Sequence, residues 1–254
     1  MKLKFLFIFT IFITSLTTAQ EIFNIESLRE ETDKKWTGSI GLNMGLIKNT
    51  NTIFWISNSE YVQHKNLKNT DYWLLYNSMS FQKLEGESFV NRGTQHLRYN
   101  RKITKKTKLE AFAQTQYDAI SQIDIRLLVG LGPRFKLSNN DSIYRIYLGT
   151  LIMYEHEKTT IPTGKEIQDN YRGSCYLSLN FYPTTTIKIV STTYYQPKLD
   201  AFNDYRLSSG TSVEFKIVEK LSFTTNFNYS YDAFPVKDIP KAQYELTNGL
   251  KYEF

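Results

Sequence analysis

From Trp36 to Phe254 side-chain character changes at every second residue, in one run after another. Over 221–232, Leu221, Phe223, Thr225, Phe227, Tyr229 and Tyr231 alternate with Ser222, Thr224, Asn226, Asn228, Ser230 and Asp232. The final run sets Tyr244, Leu246, Leu250, Tyr252 and Phe254 against Glu245, Thr247, Gly249, Lys251 and Glu253. The first sets Trp36, Ile40, Leu42, Met44 and Leu46 against Thr37, Ser39, Gly41, Asn43 and Gly45. A period of two belongs to strands whose two faces meet unlike surroundings. Twelve such runs can be drawn, at 36–47, 53–64, 71–83, 89–101, 107–117, 123–135, 142–155, 170–181, 186–196, 204–217, 221–232 and 243–254. Those at 53–64, 71–83 and 186–196 alternate poorly, so ten strands is the alternative count.

The cleanly alternating runs are about 10–12 residues long, against about 5–6 for a globular strand and about 9–11 for one that crosses a membrane. Aromatic residues end the oily rows, as with Trp36, Tyr144 and Tyr154, and Tyr252 and Phe254. Membrane barrels carry such girdles at both interfaces. The expected fold is therefore all-β: a transmembrane, antiparallel, up-and-down barrel over 36–254, with oily rows in lipid and polar rows around a lumen. A soluble β-sandwich or lipocalin-like barrel also alternates, with the oily row turned inward. A periplasmic soluble β-protein that binds a ligand thus stands as an alternative. The mean hydropathy of −0.40 excludes a polytopic helical membrane protein, whose spans each need about 20 apolar residues. The 18 Tyr and 17 Phe exclude a disordered chain. The formal charge of +6 is spread singly through the strands, which argues against a nucleic-acid partner.

Ahead of the first run, Lys2 and Lys4 precede an apolar stretch at 5–13, and Thr17-Thr18-Ala19 supplies small residues before a cleavage point. That layout is a secretory signal peptide, expected to be removed after Ala19. Residues 20–35 read as a short periplasmic segment with a weak helical spacing at Ile22, Ile25 and Leu28. An even number of strands puts both termini in the periplasm. The short links at 102–106, 137–141, 182–185 and 218–220 then fall on that side, and the longer ones at 156–169, 197–203 and 233–242 fall outside. The expected location is the cell outer membrane, with membrane lipid around a monomer.

The last seven residues, Asn248-Gly249-Leu250-Lys251-Tyr252-Glu253-Phe254, resemble the C-terminal signal read by the β-barrel assembly machinery. Gly249 is followed by Leu250, Tyr252 and Phe254 at alternate positions. An open strand edge with one oily face can add to a partner's sheet edge, so that machinery is the expected partner. Several internal stretches point to one family. They are Trp36-Thr37-Gly38-Ser39, His96-Leu97-Arg98-Tyr99-Asn100-Arg101, the run 126–133 (RLLVGLGP), Tyr195-Gln196-Pro197, Asp204-Tyr205-Arg206-Leu207, Tyr231-Asp232-Ala233-Phe234-Pro235 and the terminal GLKYEF. In order and spacing they resemble the domain of unknown function 481 family of YdiY-like, salt-induced outer-membrane proteins. The first hairpin departs from it, reading Lys48-Asn49-Thr50-Asn51-Thr52 in place of a Gly-Asn pair, and the last loop has Pro235 but no Asp at Gln243. The resemblance implies an outer-membrane barrel and no defined activity.

Chemistry-bearing residues are few. The three histidines, His64, His96 and His156, lack the flanking Ser arrangement that a barrel-borne lipid-modifying hydrolase would need. No second His or Cys lies at metal-ligand spacing, so no metal or cofactor is expected. The single Cys175 excludes an internal disulfide, and beside Leu177 it reads as a small lipid-facing hydrophobe. Gly130-Leu131-Gly132 lies within a strand and reads as room for a bend or for lumen side chains. Strand parity places Arg98, Glu110, Asp124, Arg126, Arg134, Arg145, Glu155, Arg172, Lys188, Arg206, Glu214, Lys216, Glu245, Lys251 and Glu253 toward the lumen. Cations outnumber anions there, and charged rings tune pore selectivity. The expected function is a structural barrel or a narrow small-solute channel with a mild preference for anions, and not an enzyme.

Overall fold

The computed structural model describes residues 34–48, 52–68, 70–84, 87–119, 121–138, 142–161, 164–236 and 239–254. The expected signal peptide and residues 20–33 lie outside the described residues. Twelve strands follow in order: β1 (Trp36–Lys48), β2 (Thr52–Lys65), β3 (Asp71–Leu84), β4 (Glu87–Lys102), β5 (Thr107–Asp118), β6 (Ile123–Lys136), β7 (Tyr144–Ile161), β8 (Gly164–Phe181), β9 (Ile187–Pro197), β10 (Tyr205–Val218), β11 (Leu221–Asp232) and β12 (Ala242–Glu253). Each strand pairs with its chain neighbours, and β1 meets β12 to close the barrel. That closing seam is short. Residues 39–43 face 253–249 in five pairs, whereas β1 and β2 share thirteen.

Side-chain exposure gives the direction of the oily rows. On β6, Arg126 and Arg134 are 2% and 1% exposed, while Val129 and Leu131 between them are 56% and 60% exposed. A water-soluble core would bury the leucine and expose the arginine. Here the apolar surface faces outward and the charges face inward, as a barrel in a bilayer requires. The same parity runs through Ile40, Leu42 and Met44, through Leu177 and Leu179, and through Phe223, Phe227, Leu246 and Leu250, all of which are exposed. A one-residue slip would turn every arginine into the lipid, so the pattern itself pins the register.

Rings gather at both edges of the apolar band. At the end carrying the termini (the near end), Trp36 packs on His64 at 4.3 Å and Trp73 on Tyr99 at 4.7 Å, centroid to centroid. At the far end, Tyr154 meets Tyr171 at 5.6 Å, and Tyr205 lies between Tyr195 and Tyr231 at 5.5 and 5.7 Å. Phe254 lies just past β12, and its backbone N–H donates to the Gly38 carbonyl at 3.1 Å.

Two expectations from the sequence need correction. The stretch 156–169, read as a loop, is mostly strand. β7 and β8 stay paired from Tyr144–Phe181 to Ile161–Gly164, forming a hairpin taller than its neighbours. Once the strands rise past the Tyr154–Tyr171 belt, the outward row of His156, Lys158 and Thr160 turns polar and the hydrophobic alternation disappears, although pairing continues and Glu157 and Thr159 stay buried on the inner face. Asp124 does not face the lumen. The register shifts between Ile123 and Ile125, and this bulge turns Asp124 outward. There it accepts from the Thr160 hydroxyl at 2.7 Å and pairs with Lys165 Nζ at 3.1 Å. Those two contacts, Thr160 first, hold its carboxyl below the usual range. Lower on the hairpin, the Tyr154 hydroxyl and then His156 do the same for Asp169.

Candidate functional site in the barrel lumen

The inward rows divide the lumen into a packed wall and a hollow wall. On the packed wall, formed by β4 to β9 with the far ends of β10 and β11, long side chains cross the bore. Toward the far end, Arg172 Nε donates to Glu155 at 2.6 Å, and its Nη2 to Asp204 at 3.1 Å. Arg126 pairs with Glu157 and lies 3.3 Å from Glu155. Arg206 reaches Glu155 as well, and holds Glu157 at 3.1 Å and Asp232 at 2.8 Å. Lys198 completes the group on Asp204 at 2.7 Å. Four cations thus meet four carboxylates, and the knot carries no net charge. Buried charges are tolerated when paired and hydrogen-bonded in this way.

Toward the near end lies a second group. Glu110 accepts from the Tyr176 hydroxyl at 3.0 Å and faces Arg98 at 3.4 Å and Arg134 at 3.7 Å. The Arg134 guanidinium lies over the Tyr147 ring at 4.1 Å. Two arginines share the Glu110 carboxylate here. Glycine makes room for the rings: a Cβ at Gly149 would run into Tyr176, and one at Gly132 would meet the Thr150 carbonyl. His96 bonds Gln114 at 2.9 Å, receives Arg98 Nε at 3.2 Å and stacks on Phe112. It is a wall component. His64 packs on Trp36 in the near belt, and His156 bonds Asp169 at 2.8 Å outside the barrel.

The hollow wall, on β1 to β3 and β10 to β12, carries short polar side chains such as Ser39, Ser57, Ser212, Thr224 and Asn226 around a cavity of about 90 Å³. Its charges sit at the margins. Arg92 pairs with Glu245 at 2.6 Å, and Lys251 with Glu214 at 3.2 Å and with Glu253. A wider space of about 300 Å³ opens at the far mouth above Arg172 and Arg206, with Phe234, Pro235 and Val236 on its other side.

The remaining charges from the sequence reading lie at the near rim. Arg145 donates to the Tyr182 hydroxyl at 3.3 Å, and Lys216 is exposed at the end of β10. Sequence reading missed Glu157, Asp204, Lys198 and Arg92 as lumen partners. Glu157 shares the parity of Glu155 and would have followed from a longer β7. Asp204 and Lys198 belong to the β9–β10 link, where parity says nothing. In the C-terminal strand Gly249 faces inward beside Asn43, while Leu250, Tyr252 and Phe254 are exposed outside.

Two solved structures share this architecture. The translocator domain of the autotransporter NalP from Neisseria meningitidis aligns with a TM-score of 0.52 at 9% identity, covering 90% of this chain and 91% of that one. An outer-membrane channel from Pseudomonas putida F1 aligns with a TM-score of 0.52 at 9% identity, covering 92% and 100%. At such identity they speak to the fold alone. No curated protein sequence matches the chain. The family profile described as "Protein of unknown function, DUF481" matches residues 49–254, and the chain belongs to that family.

Proposed function

We propose that the protein is an outer-membrane barrel that passes small hydrophilic solutes through a narrow off-centre groove, with a weak preference for anions. The observation that carries this reading is the unequal lumen. Arginines and carboxylates brace one wall, and Ser, Thr and Asn line the other around about 90 Å³, room for roughly three waters. A barrel built only for bracing has no need of a hollow wall. Pairing neutralises most lumen charge, so selectivity is weak, and the larger number of Arg and Lys than of Asp and Glu on the inward rows sets its sign. The exposed row of Leu250, Tyr252 and Phe254 supports delivery by the β-barrel assembly machinery. No residue is given a catalytic role.

Planar-bilayer recording of the refolded protein tests the reading. Small current steps are expected, with a reversal potential shifted slightly toward anions in a salt gradient. Silence would overturn it in favour of a closed structural barrel, the second reading, which the neutral knot around Glu155 favours.

A further inference from the structure

The outward surface breaks its apolar pattern most sharply on β2 to β5. Glu60, Asn77, Gln95 and Thr115 stand directly opposite one another on four consecutive strands, all on the lipid side. The rung toward the near end is Val62, Leu75, Leu97 and Ala113, and the rung toward the far end runs from Asn58 through Met79 and Gly93 to Tyr117. The polar rung lies two outward positions beyond Trp73 and Tyr99 of the near belt. At about 3.3 Å per residue and a tilt of about 40°, that places it about 10 Å inside an apolar band about 25 Å tall.

The rung is only half satisfied by its own chain. Asn58 Nδ2 donates to one Glu60 carboxylate oxygen at 2.5 Å and Asn77 Nδ2 to the other at 2.6 Å. Gln95 is exposed, and its amide has no side-chain partner among the described residues. A second polar zone, on β9 to β12, behaves differently. There Ser191 pairs with Thr211, Thr193 with Ser209, and Thr225 with Asn248, each at 2.9 Å. There each of these side chains has a facing partner, whereas the exposed Gln95 of the β2–β5 rung presents its amide to hydrocarbon with no such partner, where no solvent can satisfy it.

We propose that this rung is the contact face for a second copy of the chain, related by a two-fold axis along the membrane normal. Such an axis reverses strand order, so β3 of one copy faces β4 of the other and the two rungs cross at their centres. Asn77 then meets Gln95 of the second copy, and Gln95 meets its Asn77. Each amide is both donor and acceptor. Asn77 uses one N–H on Glu60, and its carbonyl oxygen accepts from the facing Gln95. On the near-side rung Leu75 of one copy then faces Leu97 of the second, an apolar contact beside the amides. Lipid headgroups stay at the belts and do not reach this depth. The pairing replaces the monomer expected from sequence, and it stands whether or not the lumen conducts.

The test uses full-length protein in native outer membranes with Cys175→Ala as background. In that background, Leu97→Cys, the next outward position to Gln95 on β4 and exposed, treated with a short bis-maleimide is expected to give a homodimer as the major species. Leu177→Cys, exposed on β8 across the barrel, is expected to stay monomeric. Equal cross-linking at both sites, a monomer at position 97, or cross-linking of position 97 to a different protein would overturn the proposal. In detergent, sedimentation should give a dimer for the unmodified chain and a monomer for Asn77→Leu/Gln95→Leu. Unchanged heat-modifiable migration of that variant would show that its barrel still forms. A dimer that survives both substitutions would also overturn the proposal.

Discussion

Glu155 is 1% exposed and receives three guanidinium groups, from Arg126, Arg172 and Arg206. Removing its charge leaves those cations around a neutral amide in a dry wall. Breaking one side of a buried pair costs about 3–5 kcal/mol. Glu155→Gln is therefore expected to lower stability by about that much in urea unfolding from micelles, whereas Glu245→Gln, at the edge of the hollow, should change it far less. Equal losses would mean that the knot does not brace the wall. At this scale the sequence is half legible. Parity along a strand tells which face a charge takes, but not which charge it meets across the bore. Arg206 reaches Glu155 from β10 to β7, a contact that exists only because the sheet closes.

The strand is the scale at which the sequence is most readable. Alternation marked β11 and β12 cleanly because their outward rows are oily. It blurred at β2 and β9, where the outward rows carry Asn58 and Glu60, and Ser191 and Thr193, and it vanished in the upper part of the β7–β8 hairpin, whose outer face stands in water. Phe227 and Asn226 offer a direct test of face, since Phe227 is exposed outward and Asn226 lines the hollow. Phe227→Arg places a cation in lipid at a cost of about 2–4 kcal/mol and should block stable assembly; Asn226→Arg should still migrate as a folded barrel. The tall hairpin carries a pH prediction. Asp124 and Asp169 have depressed folded values, so their contribution is present above the unfolded carboxylate value of about 3.9 and is lost as pH falls through the lower folded one. In a Cys175→Ala background, a spin label at Lys158→Cys should keep constant mobility from pH 8 to about 5 and loosen only below about 4. Loosening near neutrality would point to another group.

For the molecule as a whole, twelve strands enclose a bore between the packed eight-stranded and open sixteen-stranded cases. What the lumen does with that width depends on where its bulk sits. Ser212→Trp, on the hollow wall, is expected to cut single-channel current by more than half (about one indole in a space of a few waters) and to leave heat-modifiable migration unchanged. Full current in that variant would move the route elsewhere. Composition and periodicity announce the barrel, but they do not announce its asymmetry, because small and large inward residues alternate with lipid-facing ones equally well. The weakest junction was hidden for the same reason. Five facing residues hold β1 to β12, fewer than at any other junction described. Thermal breathing therefore begins there, and the amide protons of Ile40, Leu42 and Leu250 should be the first in the wall to trade with heavy water. A ring parted at that point becomes a ribbon with two bare margins, one ending in Phe254. The circle comes undone where head meets tail.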